Sequence, residues 1–137
     1  MISVADLVAR VRSTCPSLAL VDHALTSPSD FAKPAGLISP VRAVAKPPDL
    51  MGIHRQVVLV TFGVWVILER RASSIVPGAD GEFDAITAEL RAGLCGWCPE
   101  EDGEPFAYAG GELAPFDRGP AVWREDFSIE TELRFPT

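Results

Sequence analysis

Between Gln56 and Arg70 the chain reads QVVLVTFGVWVILER, and from Val57 to Leu68 only Thr61 and Gly63 interrupt an apolar run. A strand with one wet face alternates polar and apolar residues. A run that is apolar at odd and even positions alike must instead be covered on both sides. Val57, Val58, Val60, Thr61, Phe62, Val64, Trp65, Val66 and Ile67 are β-branched or aromatic, and such residues fit a pleated strand better than a helix. At roughly 12 apolar residues the run falls short of the about 20 that cross a bilayer as a helix, and Gly63 breaks it. A central strand is therefore expected, with no membrane span.

The 137 residues predict one domain large enough to bury a core. The formal net charge is −7, and the 12 Lys and Arg are scattered, which argues against a surface that grips nucleic-acid phosphates. Met1 to Leu7 lacks the basic and long apolar regions of a secretory leader, because Asp6 and Arg10 interrupt any such run, so a cytoplasmic setting is expected. Cys15, Cys95 and Cys98 are too few, and odd in number, for a disulfide scaffold, and reduced thiols are the expectation.

Ser3 followed by Asp6 has the form of a capping box, and Val4, Leu7, Val8 and Val11 recur at helical spacing, so a helix is expected over Ser3 to Cys15, ending before Pro16. Leu18 to Asp22 reads as a short strand. Pro28, Pro34, Pro40, Pro47 and Pro48 punctuate the next stretch, which predicts an extended arm or ordered loop, with a broken edge strand over Gly36 to Ala45 because Pro40 has no N–H for a central ladder. After the central strand, Asp80 can cap a helix over about 82–97. Phe83, Ile86, Leu90, Leu94 and Trp97 form its apolar stripe, while Glu89 and Arg91 turn towards water. Short strands and turns follow to Pro120. Trp123, Phe127, Ile129, Leu133 and Phe135 then alternate with polar residues, a long strand with one wet face in which Glu125 alone breaks the pattern. The fold class expected is α+β, with a mixed, mostly antiparallel sheet packed by the N-terminal helix and the second helix.

Candidate chemistry is sparse. Cys95-Gly96-Trp97-Cys98 could exchange thiols or supply two zinc ligands, but it closes a helix instead of opening one, and Glu100, Glu101 and Asp102 follow it, surroundings that disfavour a thiolate. His23 and His54 belong to no readable triad. Gly110-Gly111 lacks the Lys and Ser or Thr of a phosphate loop and reads as a turn. The run Glu100, Glu101, Asp102 and Glu104 lacks the alternating ligand spacing of a calcium loop. No catalytic residue, metal ligand or cofactor is assigned.

In the order of its features the chain resembles the phage tail terminator proteins, the Mu-like minor tail protein family also found in prophages and gene transfer agents. The likeness rests on the helix MISVADLVARVRSTCP, the strand QVVLVTFGVWVIL and the phrase Gly96-Trp97-Cys98-Pro99. It continues through Phe106-Ala107-Tyr108-Ala109-Gly110-Gly111-Glu112-Leu113 to a closing WREDFSIETEL strand, and departs from the family pattern at GLISPVRAV, where Pro40 interrupts the strand after the first loop. The resemblance implies a non-enzymatic protein of the virion tail, assembled in the host cytoplasm. It implies a hexameric ring on the head-proximal end of the tail tube that stops tube polymerisation and receives a head-completion or stopper protein.

DNA would pass through such a ring without specific binding. A negative lumen suits that passage because like charge keeps phosphates from sticking, so Glu100, Glu101, Asp102 and Glu104 are expected to face the channel. A ring also needs two different surfaces that meet between neighbours. Phe31, Leu37, Ile38, Val41 and Leu50 on one side and Phe116 on the other are the expected subunit or partner contacts. The alternatives are another head–tail completion protein, or a small thiol-redox or zinc protein built on Cys95 and Cys98.

Overall fold

The apolar run forms the middle strand of a five-stranded sheet. The computed structural model describes residues 2–24, 32–47, 55–69, 77–78, 80–113 and 121–134. The elements in chain order are α1 (Val4–Thr14), β1 (Leu20–His23), β2 (Ala35–Ala45), β3 (Arg55–Leu68), α2 (Gly81–Leu94), β4 (Ala107–Leu113) and β5 (Ala121–Arg134), an α+β arrangement. The sheet order is β1-β2-β3-β5-β4. β1 and β2 run parallel, and the other neighbouring pairs are antiparallel.

Helices cover one face of β3, whereas on the other its neighbours among the described residues belong to the same sheet or, with Ala24, to its end, so the second cover that its composition predicts is not seen there. On one face Phe62, Val64, Val66 and Leu68 meet Leu7, Val8 and Val11 of α1 and Phe83, Ile86, Leu90 and Leu94 of α2 in the main core. On the other, Ile67 and Trp65 pack with Ala35, Leu37 and Val122. The helices begin where their caps place them. Ser3 Oγ accepts the N–H of Asp6, and Asp80 Oδ1 accepts that of Phe83, each satisfying an amide that the first turn leaves without a partner. They approach closely because residue 93 is glycine: a Cβ there would lie 2.3 Å from Thr14 Oγ1.

Five expectations need correction, the first being Gly110-Gly111, which is no turn between strands but lies within β4 beside its bulge. The second helix ends at Leu94, not Trp97, because Cys95 leaves the helical conformation and Gly96 takes a positive φ of 83°. The first strand starts two residues later and ends one residue later than its sequence pattern suggested, at Leu20–His23. The segment expected as an arm or broken edge strand contains β2, whose first part is interior. β1 flanks it only from Ala35 to Ile38, and from there onward β3 is its partner. Pro40 is tolerated in that one-sided part, beside a bulge that shifts the register between Pro40 and Arg42. Finally, Arg91 does not simply turn to water but binds a buried carboxylate.

Candidate functional site

Two features follow α2, and β5 joins them. The first is an acidic turn on a fixed base. Gly96 N–H donates to Phe106 O at 2.8 Å and Phe106 N–H to Trp97 O at 3.0 Å, closing the chain on itself across the intervening residues. Trp97 stacks on Phe106 at 5.7 Å between ring centroids, and Phe106 meets Phe62 of the core edge-on at 5.9 Å. Arg10 of α1 lies over the Trp97 ring at 5.3 Å. Within the loop, Gly103 N–H donates to Glu100 O at 3.0 Å. Glu100, Glu101, Asp102 and Glu104 are all exposed, so four carboxylates stand on a turn whose neck is tied to the core by aromatic packing.

The turn faces a groove of about 760 Å³ whose opposite wall is the end of β5, with Glu130 and Glu132, and whose apolar lining includes Ile2, Val57 and Ile129. Sequence reading found the four carboxylates of the turn but not the two of the strand. Their alternation on the wet face of β5 was legible, yet only the sheet brings that face beside residues 100–104. Glu130 also forms an ion pair with Lys46 beyond the end of β2. Among the described residues no group of three or more His, Cys, Asp and Glu is arranged to hold a metal ion.

The second feature is Glu125, fully buried on the core face of β5, where the sequence pattern called for an apolar residue. Its carboxylate accepts from Arg91 Nε at 2.9 Å and Arg91 Nη2 at 3.0 Å, from Tyr108 Oη at 3.0 Å and from Trp123 Nε1 at 2.7 Å. Arg91 also lies over the Tyr108 ring, 4.6 Å from its centroid. One side chain thus ties α2, β4 and β5 together. Gly111 makes the room, since a Cβ there would lie 2.7 Å from Glu125 Oε1 and 2.9 Å from Trp123. The bond to Glu125 raises the Arg91 pKa, and burial, followed by the charge of Glu125, raises that of Tyr108. With its donors matched, the cluster is built to hold strands in place.

The remaining candidates are spread over the molecule. Leu37 and Ile38, expected as subunit or partner contacts, are buried inside the protomer, Ile38 in the main core and Leu37 in the second cluster, so neither side chain stands at the surface. Val41 sits half-buried at the β2 bulge. Phe31, Leu50 and Phe116 lie outside the described residues, as does His54. Cys95 and Cys98 are exposed free thiols. Cys15 is buried, and burial, reinforced by a hydrogen bond to Glu89, pushes its thiol pKa up to about 12. No helix among the described residues is long and apolar enough to cross a membrane.

Compared with known protein families, the chain matches the one described as phage tail terminator protein over residues 1–136. No curated protein matches it.

Proposed function

The chain belongs to the phage tail terminator family, and from that premise we propose that it forms a hexameric ring on the head-proximal end of a tail tube, ends tube polymerisation and presents the surface that a head-completion or stopper protein joins. The family is a structural one, so the broader role is assembly of a phage tail, in association with other tail or head components. The observation that carries the reading is the extent of the match, 136 of 137 residues.

The groove adds the electrostatic side of the proposal. Glu100, Glu101, Asp102 and Glu104, with Glu132 and a Glu130 that is paired to Lys46, leave one region of the protomer with an excess of negative charge. Turned towards the lumen of a ring, they would keep DNA phosphates from binding the wall as the duplex passes. Neighbouring copies are proposed to meet through the segment Phe31 to Leu50 on one side and Gly110 to Pro120 on the other, a heterologous contact that closes after a full rotation.

Light scattering of the purified chain, alone and mixed with tail tubes, followed by electron microscopy of tube ends, tests this. Rings at one end of tubes of uniform length are expected. A chain that remains monomeric, binds no tube end and leaves tube growth unlimited would overturn the proposal.

A further inference from the structure

The three large apolar side chains most exposed among the described residues are Val44 at 42%, Tyr108 at 41% and Leu113 at 46%. All three lie on two strand edges at opposite sides of the sheet. β4 pairs with β5 alone among the described residues, and six of its seven residues are exposed. Beyond Ile38, β2 pairs with β3 alone among the described residues, and Arg42 to Ala45 are exposed. Apolar edges with unpaired amides and carbonyls are templates for another strand.

We infer that these two edges are made for each other, so that β4 of one copy adds to the outer part of β2 of the next and the sheets join edge to edge around an assembly. This rests on the ring reading above and specifies the bonds that would close the ring. The occupant is a second copy because the edges match in direction, hydrogen-bonding side and charge. Counting through the antiparallel pairs, β2 and β4 run in opposite directions. Rotation about an axis along the strands preserves direction, so β4 meets the next copy's β2 antiparallel. Each edge offers a regular run of four residues after its bulge, Gly110 to Leu113 on β4 and Arg42 to Ala45 on β2.

The hydrogen-bonding side follows from one observed bond. Lys46 N–H donates to Val57 O, so the alternation of antiparallel pairs turns Val44 and Arg42 towards β3, and Ala43 and Ala45 present their N–H and C=O to the edge away from β3. β4 runs the other way, and the same stereochemistry turns Gly111 and Leu113 outward. Setting Gly111 opposite Ala43 brings Glu112 opposite Arg42 on the face of the sheet away from the helices. Glu112 is already paired with Arg124 at 2.8 Å. A second guanidinium would extend that pair into a network across the joint.

The test uses the full chain under conditions where the wild type forms rings, read by light scattering, with circular dichroism and thermal melting to verify folding. Ala43→Pro removes an outward N–H without removing a bond to β3, and is expected to stay folded and lose the ring. Arg42→Glu and Glu112→Arg are each expected to weaken assembly, and the double variant Arg42→Glu/Glu112→Arg to recover it. Should Ala43→Pro fail to fold, the charge-exchange set decides. Folded variants that assemble as the wild type does would overturn edge pairing while leaving the ring intact. A wild type that stays monomeric even with tubes would overturn the ring reading, and this inference with it.

Discussion

At the scale of the residue, Glu125 shows how a buried charge becomes tolerable. Arg91 supplies a bidentate partner whose own side chain is 45% exposed, so one member of the pair keeps contact with water while the other is sealed by Tyr108 and Trp123. The consequences of substitution are therefore unequal. Arg91→Leu leaves the carboxylate buried beside two neutral donors and is expected to cost about 3–5 kcal/mol, the usual range for breaking a buried pair. In the double variant Arg91→Leu/Glu125→Leu no charge is stranded, and it should be more stable than Arg91→Leu alone. Urea unfolding measures both, and a double variant worse than the single would show that packing, not charge, dominates the site.

Cys15 gives a prediction in pH. Its thiol ionises near 9.0 when exposed and at about 12 in the fold, with burial the main cause. Between those values the folded chain keeps a proton that the unfolded chain has lost. The stabilisation is complete below about pH 9 and declines as pH rises, by about 1.4 kcal/mol per pH unit from this group. Cys15→Ala should remove that part of the slope, narrowing the gap to wild type as pH rises from 9 towards 12. Stability curves that stay parallel would assign the alkaline loss elsewhere.

At the scale of the element, α1 and α2 are in close contact at Gly93. Arg10 Nε donates to Gly93 O at 2.9 Å, and Thr14 packs where a side chain on residue 93 would otherwise be. In an isolated helix, alanine in place of glycine stabilises by roughly 0.5–1 kcal/mol. Here the new Cβ would meet Thr14, and Gly93→Ala is expected to destabilise by about 1–3 kcal/mol as the helices are forced apart. A raised denaturation midpoint would show that the helices part freely. The caps at Ser3 and Asp80 were legible because capping is a local rule. The close approach at Gly93 was not, since a glycine in a helical pattern gives no sign of what lies across from it.

At the scale of the whole molecule, the charge of the groove is the property to perturb. Reversing Glu100, Glu101, Asp102 and Glu104 to Lys should leave the fold intact, because all four side chains are exposed and the neck is held by Trp97 and Phe106. If these residues line a DNA channel, the reversed wall would bind phosphates, and particles should form normally but deliver DNA less efficiently, most severely at low salt. Unchanged infectivity would remove these residues from the channel. In the β2 segment the strand and its break at Pro40 are legible, but five prolines between residues 28 and 48 outweigh the apolar GLI, which enters the sheet between β1 and β3. Proline forbids a ladder bond only on the side to which its N–H would point, and which side of β2 is partnered is a fact of tertiary structure.

The sequence by itself determined the elements whose signals lie within a few residues of one another: the central strand, the two capped helices, the alternating C-terminal strand and the acidic turn. It also marked Glu125 as the break in that last strand, without saying what the break was for. Only the tertiary structure decided that Arg91, Tyr108 and Trp123 converge on Glu125, that Glu130 and Glu132 continue the acidic turn, and that Leu37 and Ile38 are consumed by the core. The physical reason is common to all three. Periodicity fixes the face on which a side chain lies, whereas its partner is set by strand order and register, and those depend on contacts between residues far apart in the chain.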